Sequence, residues 1–373
     1  MVRTRAGLVA FGLVLVAATF AWAGPRAAFL VAIGLGFGLV LEGLRFGFAG
    51  PWGRLVRERD ARGLIAQLLA IGLTAAVALP LLALAPGELV GAHASVGFGM
   101  ILGAFIFGMA MMVVLGCGSG TLINAGSGNL VGLVALVGFI AGSFAGTLHL
   151  GFWTGLGTLP VITLQGLLGD TGGLLLTLAA LGLVGYVAVQ RSDPGKRLPQ
   201  LRLWVAAVLI AVLAVLNLVV AGQPWGIVYG LGLWGAKVAQ VGGMDVAATA
   251  FWSSAANAER LGSSILTDVT SLTNIGLLVG AFVAMRWRAT PDAPPAALTL
   301  PSWAGVLLAG LVLGYSARMA FGCNVGAFFS GISTGSLHGW VWFAAAFGGA
   351  MLGMRLRPWV LIPRATQAQE QPA

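Results

Sequence analysis

The chain has two cysteines, and both sit in the same phrase: G-x7-G-C-x2-G runs from Gly108 to Gly120 and again from Gly314 to Gly326. Cys117 and Cys323 are therefore equivalent residues of an internal repeat. A thiol offers soft sulfur chemistry and a weak S–H donor. Its neighbours here are small and polar: Gly116, Gly118, Ser119, Gly120 and Asn124 in the first copy, Gly322, Asn324, Gly326, Ser330 and Ser333 in the second. Glycines let the backbone unwind, and amide N–H groups at the start of the next helix form an anion site through hydrogen bonds and the helix dipole. A sulfur-bearing anion would meet amides and a thiol together.

Three other readings compete for the cysteines. They can pack as small apolar residues, or form a disulfide if their Cα atoms come within about 7 Å. A metal site is disfavoured, because the chain has no C-x2-C or H-x3-H spacing and only three histidines, His93, His149 and His338. No cofactor is expected. The glycine-rich run 116–121 lacks the Gly-Lys-Ser/Thr ending of a phosphate loop, which argues against direct ATP coupling. A base beside the thiols is wanting too, so transport is preferred over an enzyme or a dithiol–disulfide redox component.

The elements that must position these residues lie in a membrane. With 58% apolar and 8% charged residues, and a mean hydropathy of +0.96, the chain is incompatible with an ordinary soluble domain. Apolar stretches long enough to cross about 30 Å of hydrocarbon occupy 8–22, 64–85, 96–115, 130–150, 174–189, 203–220, 263–285, 303–319 and 337–354. Two glycine-rich stretches with polar interruptions, 29–46 and 225–240, are expected to enter without crossing. Arg3, Arg5 and the run ending at Ala21-Trp22-Ala23 also fit a cleaved leader, but a first spanning helix is the preferred reading.

The repeat extends past the thiols. Gly108 pairs with Gly314, Gly116 with Gly322 and Gly120 with Gly326; one residue further out of step, Gly132 pairs with Gly339, Gly142 with Gly349 and Gly146 with Gly353. The expected division is a first membrane repeat over 1–165, a linking helix and basic loop over 166–202, a second repeat over 203–360 and a disordered tail over 361–373. Basic residues fall at opposite places in the two halves. Arg54, Arg57, Arg59 and Arg62 have no basic cluster as counterpart, whereas Arg286, Arg288, Arg355 and Arg357 correspond to loops without Lys or Arg. Because Lys and Arg collect on cytoplasmic loops, the halves are expected to be inverted. The reading is an all-α polytopic membrane protein of about nine spanning helices plus short non-spanning ones, with the N-terminus outside. That side fits poorly with Arg3 and Arg5.

Such an arrangement places a permeation site at the repeat interface. Arg318, five residues before Cys323, is a candidate for the anion path. Lys237 is weighed between that role and snorkelling to an interface, with Glu42 and Asp245 as partners for either cation. His338, beside Ser336 and Trp340, is expected to pack or to cap a helix. The net charge of +9 is dispersed over membrane-flanking loops, which fits anionic lipid rather than nucleic acid.

The phrase from Ala317 through Gly322-Cys323-Asn324 to Trp340, with the related one around Cys117, resembles the YeeE/YedE family of sulfur-transport membrane proteins. The resemblance covers nearly the whole chain. It implies uptake of thiosulfate or a similar small sulfur anion across the bacterial cytoplasmic membrane, through a protein pinched by a central constriction. It also implies Cys117 and Cys323 as thiols that relay the substrate by transient S–H···S contacts, and a cytoplasmic sulfur carrier of the TusA type as partner. Members often carry a further cysteine where this chain has Gly47, which leaves room for a relative serving selenium or another sulfur compound.

Overall fold

The computed structural model describes residues 2–114, 116–288 and 298–360; the tail expected to be disordered lies outside them. Helices dominate: α1 (Val2–Gly43), α2 (Gly50–Glu58), α3 (Arg62–Leu84), α4 (Phe98–Val114), α5 (Gly118–Gly126), α6 (Leu130–Gly155), α7 (Leu164–Gln190), α8 (Leu201–Ala221), α9 (Val228–Val241), α10 (Ala255–Gly262), α11 (Val269–Trp287), α12 (Leu300–Met319), a π-helical turn (Asn324–Phe329), α13 (Ser330–Ser333) and α14 (Leu337–Val360). Among the described residues nine helical stretches are long and apolar enough to cross a membrane, as the sequence leads one to expect. The chain is a multi-pass membrane protein. The two strands, β1 (Ser95–Gly97) and β2 (Thr158–Val161), form a short antiparallel pair.

The first stretch is folded back on itself. A continuous helix of 42 residues would reach about 63 Å, twice the hydrocarbon thickness. Gly24 breaks it at φ 82° and ψ −180°, with Pro25 following, a conformation that favours glycine. The two arms then lie side by side: Gly12 approaches the Leu35 side chain, and Leu15 and Val16 pack on Leu30, Val31 and Leu35. Phe11 meets Phe282 edge-on and the Arg5 guanidinium lies 5.1 Å from the Trp287 ring centre.

This hairpin changes two expectations. The arm at 25–43, expected to stop short of crossing, runs alongside α11, which itself has crossing length. Position 34 abuts the Thr273 carbonyl, position 38 the Leu277 carbonyl, and Glu42 pairs with Arg288 at 3.0 Å. The fold-back also returns Arg5 to the end of the bundle that holds Arg288. The N-terminus is thus on the basic side, and its misfit with Arg3 and Arg5 disappears. By contrast α9 has 14 residues, about 21 Å, and is too short to span, as expected.

Glycines set the helix contacts around the thiols. Each pair packs so closely that a Cβ would overlap a carbonyl oxygen: Gly108 on Ala346 and Gly349 on Phe105 between α4 and α14, Gly314 on Phe139 and Gly142 on Leu311 between α6 and α12. Small residues at membrane helix interfaces permit such approach. The two sets are the same contacts moved by the repeat, since 108 and 314, 105 and 311, 139 and 346, and 142 and 349 are equivalent positions. Each helix of one half packs against the non-equivalent helix of the other.

Candidate thiol site

Both cysteines stand where a helix has just ended and another begins. Cys117 (φ −81°, ψ −169°) precedes α5, and Cys323 (φ −99°, ψ −168°) precedes the π-helical turn. Their carbonyls accept the first helical bond alike, from Thr121 N at 2.7 Å and from Ala327 N at 2.8 Å. The reason is local: Gly116, Gly118 and Gly120 in one copy, and Gly322 and Gly326 in the other, make a continuous helix unfavourable. Gly322 has φ 156° and follows Phe321 at φ 57°, so the chain turns sharply into Cys323.

The structure brings the two phrases together. A Cβ at Gly118 would stand 2.8 Å from Cys323 Sγ, so the second thiol lies against the residue that follows the first. Both cysteines are buried and free. Their surroundings differ. Cys117 Sγ lies 3.3 Å from Ser119 Oγ and accepts from Gly120 N at 3.4 Å. Cys323 makes no such bond to its turn, and π-helical geometry often marks a functional position. Among the described residues, buried Asn324 has no hydrogen-bond partner for either side-chain polar atom, and Thr121 Oγ1 has none either.

A cavity reaches the glycines on either side of Cys323, while the fully buried thiol itself is not part of its lining. About 410 Å³ in volume, the cavity is lined by Arg318, Gly322, Gly326, Tyr229, His93 and His338 among others. Nothing stands within 4 Å of where a Cβ at Gly326 would be, which leaves that wall open. The segments that frame this mouth, 90–94 and 223–229, carry no Lys or Arg. They lie at the end of α8 opposite the basic loop 191–202, with Arg260 close by at Gln223 and Tyr229.

Arg318 is placed in this wall. One guanidinium nitrogen donates to the Val228 carbonyl at 3.1 Å, the group lies over the Tyr229 and Phe251 rings, and Nε is buried without a partner. Neither Glu42, which pairs with Arg288, nor Asp245, which accepts from Ala248 N, is its counter-ion. Asn124 lies elsewhere, at the end of α5, where its Cβ abuts Gly132. Asn124, Lys237, Glu42 and Asp245 are thus the residues singled out in the sequence that the structure engages away from the thiols.

Lys237 is not among the residues that line the cavity. Its Nζ donates to the Leu261 and Ser263 carbonyls at 2.6 and 2.5 Å, tying α9 to the end of α10. Lys237→Met is expected to cost about 1–3 kcal/mol, the worth of charge-assisted hydrogen bonds, and to expose the segment around α10. Thermal unfolding in detergent and limited proteolysis there measure it.

The structure adds residues that the sequence did not single out for the site: His338, Tyr229 and His93 reach the cavity from three separate segments. The nearest signal is the position of His338 within the second repeat, where the sequence suggests packing or helix capping.

The model of the family described as sulphur transport matches residues 44–352. A protein named Probable transporter YedE of Escherichia coli (strain K12) is 27% identical over 138 residues, covering 36% of this chain and 33% of that protein. One of the same name from Salmonella typhimurium (strain LT2) is 26% identical over 138 residues with the same shares. The matched stretch thus spans about a third of these relatives. With the family model covering most of its length and a helical multi-pass architecture, the chain belongs to the sulphur transport (YeeE/YedE) family.

Proposed function

We propose that this protein takes up a small sulfur-containing anion, thiosulfate in the first place, across a bacterial cytoplasmic membrane, with Cys323 and Cys117 as successive stations. The observation that carries this reading is the contact of Cys323 with Gly118 beneath a cavity whose wall includes Gly322 and Gly326. An anion entering from the side without basic loops meets Arg318, then the free Cys323 thiol, then Cys117 with Ser119 and the Gly120 amide. Each S–H donates to the terminal sulfur of the anion, and no covalent bond is needed. Gly116, Gly118 and Gly120 keep the backbone close to the thiols.

The two halves are read as an inverted repeat. In support, positions 105 and 109 of α4 abut 349 and 353 of α14, so these helices run parallel, and 138 to 146 of α6 likewise follow 307 to 318 of α12. Gly99 at the start of α4 meets Trp153 near the end of α6, so α4 and α6 run oppositely. The equivalent helices α4 and α12 are then antiparallel, as inversion requires. A TusA-type carrier would dock on the basic end, where Lys196, Arg57 and Arg357 gather and where lipid headgroups also bind.

The inversion is imperfect where it matters. Arg318 corresponds to Met112, so the anion-holding cation stands on the cavity side alone. Arg318→Met, which makes the halves alike, is expected to raise the half-saturation concentration for thiosulfate at least about tenfold. Growth on thiosulfate as sole sulfur source, in cells lacking their own uptake routes, tests the reading. Growth with the protein and none without it supports the proposal; no difference removes it.

A further inference from the structure

Among the described residues, three side chains in the cavity wall have a buried polar atom without a hydrogen-bond partner: Trp225 at Nε1, Arg318 at Nε and His338 at Nε2. Arg318 and His338 are the two that can carry or share charge with an anion, and His338 is 1% exposed. A buried polar atom without a partner is unfavourable, and packing alone would be served as well by an apolar side chain.

The ring of His338 is held rather than loose. Its Nδ1 lies 2.8 Å from Ser336 Oγ, and its edge rests on Gly331, where a Cβ would come within 2.9 Å of Cε1. Ser336 is fully buried. With the Ser336 hydroxyl taken as the donor to Nδ1, the ring hydrogen sits on Nε2, an N–H donor without a partner among the described residues on a side chain that lines the cavity. The other histidine of this wall is already engaged, since His93 Nε2 donates to the Thr334 carbonyl at 3.0 Å.

We propose that His338 is a substrate-binding residue. Its Nε2–H and the Arg318 guanidinium hold the oxygen end of a small tetrahedral sulfur oxyanion, so that the terminal sulfur faces Cys323 past Gly322 and Gly326. This rests on the transport reading and adds the orientation of the cargo. It also divides ligands by chemistry. Sulfate fits the oxygen-binding end but offers no terminal sulfur to the thiols, so it inhibits without being carried. Hydrosulfide offers sulfur but no oxygens and is held weakly.

The test is uptake of radiolabelled thiosulfate by vesicles containing the full chain, comparing wild type with His338→Ala and His338→Gln, together with inhibition by sulfate. Alanine should raise the half-saturation concentration and the sulfate inhibition constant together, by roughly tenfold or more, the worth of one hydrogen bond to a charged ligand. Glutamine, which carries an amide N–H near the position of Nε2, should restore both. Unchanged constants in the alanine variant, or a glutamine variant as defective as alanine, would overturn the proposal. A second measurement needs no variant: sulfate should slow modification of His338 by diethyl pyrocarbonate in the wild-type protein, read by mass spectrometry, and equal rates with and without sulfate count against the site. If wild type carries no thiosulfate yet sulfate protects His338, the transport reading fails while the anion site stands.

Discussion

Gly349→Val and Gly142→Val are each expected to leave almost no folded protein. At both positions a Cβ would overlap a carbonyl oxygen of the facing helix, Phe105 for Gly349 and Leu311 for Gly142. The obstacle is backbone, which cannot rotate away as a flexible side chain can. Overpacking a well-filled interior costs about 1–3 kcal/mol and occasionally more, and here whole helices must separate, so the upper end of that range or beyond applies. The α4–α14 and α6–α12 pairs that would part are the frame of both thiol turns. Thermal unfolding in detergent measures the effect, with Gly151→Ala as the comparison. Gly151 is exposed within α6 with nothing near its Cβ position, so its replacement should be neutral or mildly stabilising.

The second large effect concerns the thiols. Cys323→Ala and Cys117→Ala should each lower thiosulfate uptake to that of cells without the protein. Removing one Sγ is a small change in volume, and each site has partners that hold the backbone independently of the sulfur: Thr121 N on the Cys117 carbonyl, and Ala327 N on the Cys323 carbonyl. The fold should therefore survive and the melting temperature should move by only a few degrees. What disappears is a donor in the path. With two cysteines in the chain no third thiol stands in. Serine at 323 is a sharper control, because it keeps a donor while removing the soft sulfur. Recovery with serine would mean that a hydrogen bond suffices; continued loss would mean that the sulfur itself is required.

Much of this was legible in residue spacing. The repeat registers of 206 and 207 residues, found in the glycines, correspond in space to reciprocal helix contacts, because a glycine needed for close approach in one half is needed at the equivalent point of the other. The break at each cysteine was also readable, since three glycines in five residues, Gly116 to Gly120, disfavour an unbroken helix through Cys117. The hairpin in α1 was hidden: 8–22 and 29–46 look like separate stretches of different character, and the polar residues in the second suggested a partial entry. Its polar residues are instead placed at the end of the arm, where Glu42 meets Arg288. Gly24-Pro25 was the signal.

Single charges were the least legible. Lys237 and Arg318 look alike in the sequence as cations within apolar surroundings, and the expected acidic partners serve neither. Lys237 is held by the Leu261 and Ser263 carbonyls, and the hydrogen bond that Arg318 does make is likewise to a carbonyl, that of Val228. Carbonyls carry no residue signature, so no sequence pattern distinguishes a clamp from a ligand-facing arginine. His338 was obscured for a related reason. Its partner Ser336 is two residues away, which suggests a helix start, and the cavity that gives the ring a purpose is assembled from loops distant in the chain.

The central claim is that the anion approaches Cys323 through the cavity beside Arg318. Side-resolved thiol labelling of the wild-type protein in sealed vesicles tests it most directly, with a membrane-impermeant maleimide applied to each face in turn, with and without thiosulfate. The expected result is labelling of Cys323 ahead of Cys117 from the face that carries the 85–95 loop, and protection of Cys323 by thiosulfate. Labelling of Cys323 from the basic face alone, or at a rate that thiosulfate does not change, would contradict the account.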